Sequence, residues 1–196
     1  MREGVIHRRT DETVVECRLN LDGSGGFDVE TGIGMLDHLF EQLAKHGAFD
    51  LRLRAEGDLE RDAHHTVEDV GLALGEALDQ ALADRAGIAR MADRTVPLDE
   101  ALIHVAIDLS GRPYAAVDLQ FAGTMIGELP TQLVAHCLES IAQEGRLALH
   151  VRQLRGENDH HIAEACFKAL ARALRDAVAV AEAETSIPST KGTLTR

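Results

Sequence analysis

The sequence DAHHTVEDVG at 62–71 returns, with different packing residues, as NDHHIAEACF at 158–167. This recurrence constrains the fold more than any other feature, because a polar pattern repeated in register means one supersecondary unit used twice. His64, His65 and Glu68 recur as His160, His161 and Glu164, 96 positions on. Upstream, His38, Glu41 and Gly47 recur as His136, Glu139 and Gly145 at an offset of 98. Packing alone would keep leucines and valines in register. Histidines and glutamates are kept for another reason.

The element pattern agrees. Residues 4–21 alternate Val5, Val14, Val15, Leu19 and Leu21 and read as two strands ending at the turn DGSGG, 22–26. GMLDHLFEQLAKHG at 34–47 has helical spacing between two glycines, and FDLRLRAEG at 49–57 alternates as a strand. Val67, Val70, Leu74, Leu78 and Ala81 predict a helix from His64 to about Asp84, with Gly87 as its stop. The second half repeats this order, with strands at 101–109 and 114–121, a helix at 130–145, a strand at 146–154 and a helix over 158–182. The expected fold class is therefore α+β, with ββαβα half-domains at 1–92 and 93–196 forming a single compact unit.

The chain has 196 residues, no tryptophan and one tyrosine, so its core must be built from Leu, Ala, Val and Ile. A net charge of −13 without a dense Lys/Arg cluster argues against nucleic acid and anionic membranes as partners. An anionic small substrate would need cations placed locally. The opening MREGVIHRRT has no apolar stretch behind its basic residues, and no run approaches the roughly 18 apolar residues of a membrane span. A cytoplasmic location is the expectation. Cys17, Cys137 and Cys166 are scattered and odd in number, which fits buried small hydrophobes rather than disulfides.

The repeated polar set contains six histidines and two glutamates. Adjacent residues on a helix point about 100° apart, so His64 and His65 should feed different centres, while Glu68 lies one turn on. Eight ligands over two centres gives each three imidazoles and one carboxylate. Mixed N/O ligation with open positions suits Mn, Fe, Co or Ni better than Zn. The spacing is not HExxH, so a zincin is not indicated. A single HHxxE with Asp62 and Asp69 close by would equally suit an acidic helix start; two matched copies would not. His7, His46, His104 and His150 have no repeat counterparts and are expected to be structural or surface residues.

The segments RRTDET (8–13), GMLDHL (34–39), DAHHTVEDVGLALG (62–75), PLDEALIHVAIDLSGRPY (97–114), NDHHIAEACFKALARAL (158–174) and IPSTKGTL (187–194) together resemble the imidazoleglycerol-phosphate dehydratase family over nearly the whole chain. The resemblance implies two four-stranded sheets, each backed by two helices, of the ribosomal protein S5 domain 2-like type. It also implies trimers assembled into an octahedral 24-mer with active sites between subunits. Two Mn²⁺ ions per site would be held by His38, His64, His65, Glu68, His136, His160, His161 and Glu164. The implied reaction, a step of histidine biosynthesis, dehydrates imidazole glycerol phosphate to imidazole acetol phosphate through an imidazolate bound between the metals.

Glu12 is the implied acid–base group, with Glu68 and Glu164 also counted as catalytic carboxylates. Glu12, His38 and His64 would contact substrate, and Arg90, Arg112, Ser189, Thr190 and Lys191 would take its phosphate. Met91 and Ala92 depart from the aromatic and glycine that usually follow this arginine in the family. Two rival readings are a dinuclear hydrolase and a non-enzymatic metal-storage or metal-sensing oligomer.

Overall fold

The computed structural model describes residues 2–180 and 186–194. Its first half runs β1 (Glu3–Arg9), β2 (Thr13–Asn20), β3 (Phe27–Glu30), α1 (Gly34–Gly47), β4 (Asp50–Gly57) and α2 (His64–Leu82). The second runs β5 (Met91–Leu98), β6 (Ala101–Asp108), β7 (Tyr114–Asp118), a short hairpin β8 (Met125–Ile126) and β9 (Leu129–Pro130), α3 (Thr131–Glu144), β10 (Ala148–Arg155) and α4 (Asp159–Ala177). The sheets are ordered β1-β2-β4-β3 and β5-β6-β10-β7, antiparallel except where β3 and β7 pair parallel to β4 and β10. The duplicated α+β fold, with two four-stranded sheets and two helices on each, is thus present.

Each four-stranded sheet contains one strand more than the ββαβα order read from the sequence, and the second half adds the β8–β9 hairpin. β3 is only FDVE and mostly exposed, so it shows no hydrophobic alternation; parallel pairing with β4 holds it. β5, MADRTVPL, has no buried residue and is an edge strand held by eight antiparallel pairs with β6, a position that tolerates Pro97. The missing strands also hid a change of offset. Up to β7 the halves correspond at an offset of 88, and the β8–β9 insertion then raises the offset to 98.

The two helical layers face each other between the sheets. α2 lies on β1 and β2, α4 on β5 and β6, and the helices pair across the halves, α2 on α3 and α1 on α4. A helix sandwiched in this way needs apolar residues on both faces. α4 meets that need with buried Ile162, Ala163, Ala165, Cys166, Phe167, Ala169 and Leu170. Phe40 of α1 meets Phe167 of α4 edge to face, centroids 5.8 Å apart, a geometry worth roughly 0.5–1.5 kcal/mol beyond burial.

The α2–α3 seam is tighter. A Cβ on Gly71 would stand 2.8 Å from Ser140 Cβ and 2.9 Å from the Cys137 carbonyl oxygen. Only glycine lets the two backbones come so close.

α4 ends at Ala177, short of the helix read to 182, whose last residues lie outside the described ones. The carbonyls of Ala177 and Ala179 accept the N–H groups of Arg90 and Ala89, so the linker before β5 claims the turn that would have continued the helix. Cys17, Cys137 and Cys166 are free and buried, as expected, and burial pushes their thiols up to about 12.

Candidate metal centre

α4 is capped by Asn158, whose side chain accepts the N–H groups of His160 and His161 and so fixes the first turn. His160 and Glu164 lie one turn apart and face His38 of α1. His160 Nε2 and His38 Nε2 stand 3.0 and 3.2 Å from the same Glu164 Oε2, and the Lys168 ammonium holds the other carboxylate oxygen at 2.5 Å. Burial works against the Glu164 charge, but the bonds from Lys168 and His38, and then His160, outweigh it and hold the carboxyl at about 2. It is therefore ionised at any ordinary pH.

The arrangement recurs around α2, where Asp62 Oδ1 accepts the His64 N–H at 2.8 Å. His64 and Glu68 face His136 of α3. The His64 and His136 rings are 4.7 Å apart and tilted 33°, against 5.5 Å and 32° for His38 and His160. His136 Nε2 lies 3.6 Å from Glu68 Oε1 and, although buried, has no hydrogen-bond partner. Within each cluster the ligand atoms of two imidazoles and one carboxylate all lie within 4.8 Å of one another. A buried ring nitrogen without a partner, aimed at a carboxylate, fits a cation that would satisfy both. Glu68 is the more open carboxylate, 40 % exposed against 13 % for Glu164.

Each cluster crosses the halves: α1 with α4, and α2 with α3. One chain thus gathers six of the eight expected ligands, three per centre rather than four. The other two, His65 and His161, are turned away from their neighbours, with ring planes at 83° to His64 and His160 in both halves. His65 Nδ1 meets Asp58 at 3.1 and 3.2 Å, with Glu12 Oε2 at 3.7 Å. His161 Nδ1 meets Glu100 Oε2 at 2.8 Å, and Asp99 lies 3.8 Å from its Nε2. The hydrogen bonds that these two histidines donate to Asp58 and Glu100 raise them, and the same bond from His161 leads in lowering Glu100 to about 2.

Glu12 sits on the β1–β2 turn. Thr10 Oγ1 accepts the N–H groups of Glu12 and Thr13, while Asp69, buried on α2, accepts the Arg8 Nε–H at 2.7 Å and the Thr13 hydroxyl. Asp69 therefore braces the turn that carries Glu12; it does not support the histidines beside it in sequence.

The expected phosphate residues also converge. Arg90, Arg112, Ser189, Thr190 and Lys191 line one open groove of about 780 Å³. Arg90, at φ 72°, is already engaged, with a two-pronged ion pair to Asp108 at 2.7 and 3.0 Å and a bond to the Pro188 carbonyl at 2.7 Å. Arg112 and Lys191 have no ion pair among the described residues. The groove and the His161 end lie at opposite ends of β6: Glu100 precedes that strand and Asp108 ends it. Eight residues at 3.2–3.4 Å each separate them by roughly 26 Å.

Sequence reading missed Asp58, Glu100 and Lys168. Glu100 had a signal, since Asp11-Glu12 recurs as Asp99-Glu100, but at the offset of 88 rather than 98. Of the unmatched histidines, His150 stacks on Tyr114 and His104 meets Thr95 at 2.9 Å; neither joins a cluster.

Comparison with known proteins places this geometry in context. The family model for imidazoleglycerol-phosphate dehydratase matches residues 31–174. Relatives of that name include one from Roseiflexus sp. (strain RS-1), 55 % identical over 98 % of both chains, and one from Methanothermobacter thermautotrophicus, 54 % identical over 99 % of this chain and 98 % of its own. The chloroplastic protein of Pisum sativum is 53 % identical over all of this chain and 70 % of its own. Among solved structures, the Staphylococcus aureus dehydratase superposes with a TM-score of 0.83 at 30 % identity, covering 91 % of this chain and 99 % of that one. The Pyrococcus furiosus protein in complex with (S)-C348 does so at 0.84 and 35 %, covering 96 % and 100 %.

Proposed function

The chain belongs to the imidazoleglycerol-phosphate dehydratase family, and from that premise we propose that it dehydrates D-erythro-imidazole glycerol phosphate to imidazole acetol phosphate in histidine biosynthesis. The observation that carries this reading is the pair of crossed clusters, His38–His160–Glu164 and His64–Glu68–His136, with His136 Nε2 buried and unpartnered. Two divalent ions, Mn²⁺ in this reading, would be held there and would act as Lewis acids on the substrate's imidazole ring.

The chain's own groups then have defined tasks. Elimination of water needs a base for the carbon-bound proton and an acid for the departing hydroxyl. Glu12, on a turn braced from Asp69 and with its carboxylate free of hydrogen bonds from the described residues, is the proton carrier. Arg112 and Lys191, with Ser189 and Thr190, bind the phosphate, and Arg90 holds their segment through the Pro188 carbonyl. Glu68 and Glu164 serve as ligands in this account.

A substrate of one imidazole ring, three carbons and a phosphate cannot span the roughly 26 Å between the metal end and the phosphate groove of one chain. Its two ends are served by different copies. This supports active sites shared between subunits, with His65 and His161 offered to the clusters of neighbouring copies in the trimers and octahedral 24-mer that the family resemblance implies.

The test is direct. Mn²⁺-loaded protein given imidazole glycerol phosphate should yield a ketone that keeps its phosphate, followed by ¹H and ³¹P NMR. Released phosphate would instead identify a hydrolase, and bound metal without turnover a storage or sensing protein.

A further inference from the structure

We infer that Asp58 and Glu100 are positioning residues that orient His65 and His161 from non-equivalent places in the two halves, which leaves Glu12, the repeat counterpart of Glu100, unattached for proton transfer. The inference rests on the metal reading above. It starts from the recurrence of Asp11-Glu12 as Asp99-Glu100, one pair in the β1–β2 turn and the other in the β5–β6 turn. By symmetry Glu12 and Glu100 should do the same thing, and they do not.

Glu100 is fully engaged. Its Oε2 bonds His161 Nδ1 at 2.8 Å, while Oε1 accepts the N–H groups of Asn158 at 2.8 Å and Glu157 at 3.3 Å. A carboxylate with both oxygens committed is a fixture and cannot also carry a proton. Glu12 stands 3.7 Å from His65 Nδ1, beyond hydrogen-bond reach, because Asp58 has taken that nitrogen at 3.1 Å.

The second half cannot copy this solution. The position matching Asp58 is Gly156, at φ 145°, where a Cβ would stand 2.6 Å from Ile162 Cγ1. With no side chain possible there, the turn carboxylate has to do the orienting.

The chemistry of the contact is the same in both halves. An imidazole that donates its Nδ1–H to a carboxylate is fixed in tautomer and ring angle, which leaves Nε2 with its lone pair as the ligand atom. Asp58 and Glu100 therefore set which nitrogen His65 and His161 present. One half has two carboxylates for one histidine and the other has its single well-placed carboxylate in use, so only the first half has a turn glutamate to spare.

Mn²⁺ affinity, read as free Mn²⁺ by electron paramagnetic resonance on the full-length chain, tests this without turnover. His161→Ala should weaken binding, and Glu100→Ala should weaken it about 10- to 100-fold, the range for loss of a ligand-orienting partner. Glu100→Gln, whose single amide oxygen can still accept Nδ1–H while its NH2 group loses the Asn158 and Glu157 N–H bonds, should keep more of the affinity than Glu100→Ala at some cost in melting temperature. The Glu100→Ala/His161→Ala double variant should bind no more weakly than His161→Ala, because Glu100 acts through that ring. Asp58→Ala should show the same non-additivity with His65→Ala, and Glu12→Gln should bind Mn²⁺ as the parent does.

Parental affinity in Glu100→Ala beside a weakened His161→Ala, or additive losses in the double variant, overturns the positioning role alone. Parental affinity in His161→Ala overturns the metal reading, and this inference with it.

Discussion

Replacing Gly71 with alanine should damage one centre and spare the other. The new Cβ would lie 2.8 Å from Ser140 Cβ, while carbon atoms in comfortable contact stand about 3.5–4.0 Å apart, so α2 and α3 must separate locally by roughly 0.7 Å. Gly71 is three residues from Glu68, and the carbonyl it abuts belongs to Cys137, next to His136. The separation therefore falls on the spacing between Glu68, His64 and His136. Metal–ligand distances tolerate deviations of about ±0.2 Å, so a movement several times larger should cost on the order of 10- to 100-fold in affinity there.

Stability should change less. Overpacking costs about 1–3 kcal/mol, and alanine returns about 1 kcal/mol of helix propensity. A Mn²⁺ titration should show one tight and one weakened site in Gly71→Ala, and the variant should add nothing to the loss in His136→Ala. The position 96 residues on is Phe167, so Phe167→Leu, which loosens α1 against α4, should weaken the His38–His160–Glu164 centre instead. Two parental sites in folded Gly71→Ala would refute the argument, because ligand spacing would then not depend on the helix seam.

Asp69→Asn should lower kcat while leaving metal content intact, since it loosens the Glu12 turn; loss of its charged bonds to Arg8 and Thr13 should cost about 1–3 kcal/mol in urea unfolding. Arg112→Glu should raise KM for the phosphorylated substrate at least tenfold in steady-state kinetics, and Arg90→Lys, which loses the two-pronged Asp108 contact, should raise it by a smaller factor. With their thiols raised to about 12, the three cysteines should resist a thiol reagent at pH 8 in the folded protein and all react in denaturant; labelling of the native chain would contradict their burial. Asp50 lies below the usual carboxylate range, chiefly through the N–H groups of Ser24 and Gly26, so its contribution is full above the unfolded pKa of about 4 and fades as pH falls through the folded value. Asp50→Asn should therefore flatten the acid limb of the stability–pH curve measured by denaturant melts.

What the sequence made legible was whatever the repeat keeps in register. The six histidines and two glutamates stood out because polar residues recurred where packing did not require them, and the helices because their apolar spacing is long and regular. β3 and β5 were not legible, because short or exposed strands are held by pairing with β4 and β6 rather than by their own alternation. Nor was the division of the ligands. Which ring of His64-His65 turns toward His136 depends on which face of α2 packs on α3, and that face is the one where Gly71 meets Cys137 and Ser140 and Gly75 meets Ile141, contacts between distant segments. Glu100 was hidden differently: the β8–β9 insertion moves the offset from 88 to 98, so a search at either value finds only part of the repeat.

The crossed clusters also say why the halves are joined in one chain. His38 needs His160 and Glu164, and His136 needs His64 and Glu68, so neither half contains all three ligands of either crossed cluster. A symmetric pair of identical halves would place the same ligands, since both clusters follow one geometry. It would not allow Asp69 on α2 with Ala165 in its place on α4, nor Asp58 in one half and Gly156 in the other. Those differences brace one turn and free its glutamate, while the other turn's glutamate stays fixed on its histidine. In the proposed function, metal binding would draw on what the halves share and proton transfer on where they have diverged, and a fused duplication keeps the first while changing the second.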